Sequence, residues 1–141
     1  MKPQKEKLPE KTIRQRVVFP DVSPETVYRA ILSSREHTVF TGSPAKCSAR
    51  VGARFTAWGD YISGKNIELE RGRKIVQEWK TSEWPEGYGP SILSISLEKI
   101  GTGTQLTMVQ EKVPASQYDE YNKGWFESYW EPMKKYFAKK N

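Results

Sequence analysis

One stretch, PASQYDEYNKGWFESYWEPMKKYF from Pro114 to Phe137, constrains the fold more than any other. At about 100° per residue, Tyr118, Tyr121, Trp125, Tyr129, Met133 and Tyr136 share one stripe of a helix, and Phe126, Trp130 and Phe137 an adjoining one. Glu120, Glu127, Glu131, Lys134 and Lys135 take the opposite arc. The apolar arc is roughly half the circumference, which suits a helix gripped by a curved sheet rather than one resting on a flat surface. Ser116 with Asp119 three residues on predicts the start, as a capping-box variant just after Pro114. Pro132 predicts a kink, because it cannot donate to the carbonyl of Ser128.

The rest of the chain supplies short alternating segments for such a helix to pack on. Residues 1–12 are charged and proline-bearing and are expected to form a mobile tail, with a single domain over residues 13–141. In IRQRVVF, Ile13, Gln15, Val17 and Phe19 share one face, which predicts a half-buried strand. A short helix follows over residues 21–34: Ser23 caps it, Pro24 takes its first position, and Val22 staples to Val27. Residues 35–44 show breakers and no period, so a loop is expected.

A weak strand is expected over residues 45–49, then one from Arg54 to Trp58, with Phe55 and Ala57 on one face and Trp58 on the other. Gly59 and Asp60 suit a two-residue hairpin turn into Tyr61 to Leu69. Arg73 to Lys80 places Ile75, Gln77 and Trp79 on one side. Ser91 to Ile100 and Thr104 to Glu111 present Leu93, Ile95, Leu97 and Leu106, Met108, Gln110 as matching faces. Links this short cannot make parallel crossovers. The order strand, helix, run of strands, long helix therefore reads as α+β, an antiparallel sheet covered on one face.

Composition bounds the chemistry. A chain of 141 residues buries one sizeable core without staples. The single cysteine, Cys47, cannot form an internal disulfide, and there is no signal peptide or spanning segment, so a cytoplasmic protein is expected. The net charge of +6 is spread as scattered Lys and Arg rather than blocks, and no nucleic-acid module or membrane element appears. One histidine, His37, and one cysteine cannot supply metal-ligand spacing or a convincing triad. No catalytic residue, metal or cofactor is expected.

One polar pattern stands out. Gln15, Gln77 and Gln110 fall in phase with apolar neighbours facing the long helix, where a buried amide needs a partner, water or a ligand. With Phe55, Tyr61, Trp79 and Met108 from the sheet and Trp125 and Tyr129 from the helix, they make up a candidate ligand pocket. The alternative is that some glutamines lie at the rim.

Four motifs in order, FTGSPA (Phe40 to Ala45), YISGKNIEL with RKIVQEWK (Tyr61 to Lys80), WPEG (Trp84 to Gly87) and GWFESYW (Gly124 to Trp130), carry a family likeness. The chain closely resembles, over residues 13–137, the C-terminal domain of activators of the heat-shock protein 90 ATPase, within the START-like (SRPBCC) superfamily. The resemblance implies the helix-grip, Bet v 1-like fold, with a cavity between the curved sheet and the C-terminal helix. It implies a co-chaperone-like module that meets an acidic surface of an ATPase chaperone, for which Arg71, Arg73, Lys74 and Trp84 are the candidate contacts. Activators of this kind carry a separate N-terminal domain that supplies much of the chaperone contact, whereas a short tail precedes Ile13 here. The family provides no catalytic residues to carry over, while superfamily relatives that bind lipids or hormones, or act as cyclases or hydrolases, use the cavity. A small hydrophobic ligand held there is the alternative expectation.

Overall fold

The computed structural model describes residues 8–140. Of the tail expected over residues 1–12, residues 1–7 lie outside these. Six antiparallel strands form one sheet in the order β1-β6-β5-β4-β3-β2. They are β1 (Glu10–Phe19), β2 (Arg54–Ala57), β3 (Ile62–Glu70), β4 (Lys74–Thr81), β5 (Ser91–Ile100) and β6 (Gly103–Pro114). Helices α1 (Pro24–Leu32) and α2 (Ser34–Thr41) connect β1 to β2, and the C-terminal segment packs into the concave face. The fold is α+β with a curved antiparallel sheet around a long C-terminal helix, as expected.

Strand phases follow the period-2 pattern. Ile75, Gln77 and Trp79 of β4, Leu93, Ile95 and Leu97 of β5, and Leu106, Met108 and Gln110 of β6 are all buried on the concave side. Register across β4, β5 and β6 runs Ile75 to Ile95 to Met108, so one row of side chains meets the helix. β1 begins at Glu10 rather than Ile13 because β6 extends to Val113 and Pro114, which pair with it. Gly64 is required by close approach: a Cβ there would stand 1.9 Å from the Glu78 carbonyl and 2.7 Å from the Phe55 ring.

The short helix starts where expected, with Ser23 Oγ accepting from the Thr26 N–H and Pro24 in the first turn. The loop expected over residues 35–44 is instead largely helix α2. Ser33 Oγ accepts from the Glu36 N–H at 3.1 Å, and Gly42, at φ 76°, closes the helix on the Thr38 carbonyl. Its buried residues are Glu36, His37 and Phe40, and two polar groups among three give no apolar period to read. The weak strand at residues 45–49 reduces to one bridge, Lys46 to Thr56. β2 ends at Ala57, so residues 58–61 form the turn and Trp58 leaves the strand.

The C-terminal segment also departs from the expected single kinked helix. A 3-10 turn (Ala115–Gln117) leads into α3 (Tyr118–Trp125), then a π-helical turn (Phe126–Trp130), then α4 (Glu131–Lys140). Ser116 caps nothing, since neither start carries a side-chain cap. The disturbance expected at Pro132 falls one turn earlier. There the Glu131 N–H reaches back to the Phe126 carbonyl, widening the turn ahead of the pyrrolidine ring. The extra residue turns Phe126 outward, 43% exposed against the inward position expected, while Tyr129 and Trp130 are both buried.

Candidate functional site

Between α3, the π-helical turn, β4 and the loop 58–61 lies a cleft of about 300 Å³. Trp79 reaches it from β4 because its cross-strand neighbour is Gly64, and its other flank is held by Ser91 Oγ, which donates to the Trp79 carbonyl at 2.6 Å. Trp125 enters from α3 with its ring centroid 5.6 Å from that of Trp79 and 4.9 Å from that of Tyr129. Tyr121 closes one end, 5.6 Å from Trp79 and stacked on Trp84 at 5.9 Å. Tyr61 and Trp58 close the other side from the β2–β3 loop.

Trp58 is the unusual member. Its φ of 54° is a left-handed conformation that costs a bulky side chain about 1–3 kcal/mol. That backbone carries the indole, in phase for the convex face of β2, to the cleft instead. Among the described residues its Nε1 is the one buried side-chain nitrogen or oxygen without a hydrogen-bond partner. Its N–H lies beside the Tyr129 hydroxyl and favours the ionised form of that group. Gly124 lies on the helix side, and a Cβ there would meet nothing within 4 Å, so the missing side chain widens the cleft.

The polar groups around the aromatic walls are neutral. Burial raises the Tyr129 hydroxyl well above the ordinary tyrosine range, and does the same, with Glu83 adding to it, for Tyr61. Tyr61 donates to Glu83 Oε1 at 2.8 Å, while Tyr121 donates to Gln117 Oε1 at 2.8 Å and accepts from Thr81 Oγ1 at 2.5 Å. Beneath the cleft, His37 Nδ1 donates to the Ile31 carbonyl at 2.9 Å, so Nε2 accepts from the Tyr129 hydroxyl, also at 2.9 Å. Burial lowers the His37 pKa and pushes the Cys47 thiol up to about 11. Such groups hold a ligand by shape, ring contact and hydrogen bonding. Among the described residues, no group of three His, Cys, Asp or Glu could hold a metal ion.

The candidate ligand residues separate into three places. Tyr61, Trp79, Trp125 and Tyr129 line the cleft. Phe55 and Gln77 border a deeper void of about 30 Å³, room for roughly one water. Gln15, Met108 and Gln110 lie elsewhere in the packing, and each glutamine has a protein partner. Gln15 Nε2 donates to the Asn122 carbonyl at 2.7 Å and its Oε1 accepts from Trp130 Nε1 at 2.7 Å. Gln77 Nε2 donates to Asn66 Oδ1 at 2.9 Å, and Gln110 accepts from Trp125 Nε1 at 2.8 Å while donating to Ser91 Oγ at 3.0 Å.

The candidate partner residues do not converge. Arg71 pairs with Glu25, Arg73 lies 3.9 Å from Glu70, and Lys74 lies 3.0 Å from Glu68, all around the β3–β4 turn. Trp84 lies beyond the far end of β4, eight residues of strand or roughly 25 Å away, with its Nε1 donating to the Gly89 carbonyl at 2.8 Å. Sequence reasoning missed Trp58 and Gly124. A tryptophan beside a turn glycine, and a glycine inside an aromatic helical stripe, were the available signals.

A curved antiparallel sheet gripping a C-terminal helix, with an aromatic cleft between them, defines a START-like helix-grip module. The chain belongs to the family of Activator of Hsp90 ATPase homolog 1-like proteins, whose sequence model matches residues 21–138. It is 31% identical over 116 residues to the human Activator of 90 kDa heat shock protein ATPase homolog 1, covering 82% of this chain and 34% of that protein. The Dictyostelium discoideum activator homologue is 28% identical over 116 residues, covering 82% and 30%. The chain thus spans about a third of the length of the curated relatives it matches. Among solved structures, a Plasmodium falciparum Hsp90 activator superposes with a TM-score of 0.78 at 22% identity, covering 92% of this chain and 96% of that one. That likeness is one of fold.

Proposed function

We propose that this chain is a non-catalytic binding module whose cleft takes a small, largely apolar ligand. The observation that carries this reading is the cleft itself: about 300 Å³ walled by aromatic rings. An NMR titration with lipids, sterols and aromatic metabolites tests it. Resonances of Trp125 and Tyr129 should shift saturably with at least one of these, and unmoved resonances at saturating concentration would sink the reading.

A second reading, favoured by the names of the relatives, is that the module acts as a co-chaperone toward an ATPase chaperone. The matched third of the human activator supports a chaperone as partner. The paired charges around Arg71, Arg73 and Lys74, distant from Trp84, do not by themselves make up a contact surface. Stimulation of a purified heat-shock protein 90 ATPase by the chain is the test. Neither stimulation nor binding at micromolar concentration would end this reading.

A further inference from the structure

We infer that the groove between α2 and α4 is a docking surface for a second copy of this chain, with the two α4 helices antiparallel about a two-fold axis. The groove, about 310 Å³, shares no lining residue with the cleft. Four exposed charges spaced four residues apart line it: Glu127, Glu131, Lys135 and Lys139, two acids followed by two bases. Such an order complements itself only when reversed. Laid antiparallel, Glu127 meets Lys139 of the second copy and Glu131 meets its Lys135. Both pairs are centred on the level of Met133, so one axis makes each pairing twice. A parallel arrangement would set acid on acid and base on base.

Contacts within the chain leave this stripe available. Glu127 and Glu131 lie 3.6 Å from Lys123 and 3.8 Å from Lys134 on the same C-terminal segment, exposed pairs that are worth little in solution. Among the described residues Lys135 and Lys139 have no ion pair. The floor of the groove is apolar, with the Phe40 and Tyr136 rings 6.0 Å apart. On its α2 flank Val39 is 56% exposed, beside the half-buried Pro132. The two-fold brings the α2 flanks of both copies to the same side, so the two valines are covered together. A net charge of +6 on each copy opposes any contact that leaves its cations unpaired, and this contact pairs them. Exposed ion pairs set orientation more than affinity, and the apolar strip is short, so the dimer is weak.

Sedimentation equilibrium from about 10 µM to about 1 mM should show monomer and dimer in exchange, with a dissociation constant on the order of 100 µM. Glu127→Lys with Glu131→Lys makes the stripe all basic, and Lys135→Glu with Lys139→Glu makes it all acidic. Each double variant alone should lose at least about tenfold in self-association. Mixed one to one, the two should associate again, which a misfolded variant could not do. All four changes in one chain should restore self-association, and that chain should not pair with the wild type, because an antiparallel contact between them sets like charge on like. A wild-type chain that stays monomeric throughout would overturn the inference. So would a double variant that dimerises like the wild type, mixing without recovery, or pairing of the fourfold variant with the wild type.

Discussion

The Tyr129 hydroxyl donates to His37 Nε2 at 2.9 Å, tying the π-helical turn to α2 across 92 residues of sequence. Because His37 Nδ1 is committed to the Ile31 carbonyl, this pairing requires the neutral ring. A protonated His37 would present a second N–H to a hydroxyl that must then turn its own hydrogen elsewhere in a buried site.

The pH dependence of stability follows from that pairing. Burial holds the His37 pKa below its ordinary 6.5, so below that pH the unfolded chain takes up a proton that the folded chain refuses. The contribution is complete above pH 6.5 and is lost as pH falls from there toward the folded pKa. The neighbouring Tyr129 hydroxyl and Cys47 thiol are both raised by burial and stay protonated throughout. Urea denaturation between about pH 5 and pH 8 should show a slope that His37→Gln flattens. Parallel curves for the two proteins would contradict this.

Gln110 is a structural amide, fully buried and bonded on both ends. Gln110→Leu leaves the Trp125 indole N–H buried without its acceptor and should cost about 1–3 kcal/mol in chemical denaturation. A neutral outcome would show that the indole finds another acceptor, which the packing around it does not offer.

Gly64→Ala should be among the most damaging small substitutions. Its Cβ would fall 1.9 Å from the Glu78 carbonyl, which is strand backbone that cannot rotate away. A loss of about 1–3 kcal/mol or more is expected, read as a lowered Tm by calorimetry. Retention of the wild-type Tm would mean that β3 and β4 separate at no cost.

Gly124→Ala should act in the opposite direction. The added methyl meets no atom within 4 Å, and alanine is favoured over glycine inside a helix by about 1 kcal/mol. Raised stability, measured by urea denaturation, is the expected result. A destabilised variant would show that the helix needs glycine at this point for its own packing.

Much of the sheet is readable because its strands alternate strictly. Leu93, Ile95, Leu97 and Leu106, Met108, Gln110 declare their inward faces from sequence, and the structure pairs them in that register. Helix α2 is not readable, because the groups it buries include Glu36 and His37, whose partners Tyr136 and Tyr129 lie near the other end of the chain. Trp58 escapes for a different reason: alternation carries it outward, and the left-handed φ that redirects it leaves no mark at a tryptophan beyond Gly59 next door. The inward glutamines can be placed by period, but their partners Asn122, Asn66 and Ser91 are set by tertiary packing.

The π-helical turn makes the C-terminal helix a two-part gauge rather than a single rod. The part before it indexes Tyr121 and Trp125 against β4, and the part after it indexes Met133 and Phe137 against the core, each with its own phase. Deleting any one residue between Phe126 and Trp130 would let the turn rewind as ordinary α-helix, and because about four α-helical residues cover the angle that five cover in the wider turn, α3 and α4 would keep nearly the same relative phase. Such a deletion would disturb the rings within the turn and leave the walls on either side of it in place. The extra residue thus decides only which rings of the turn itself face the core, Tyr129 and Trp130 inward and Phe126 outward.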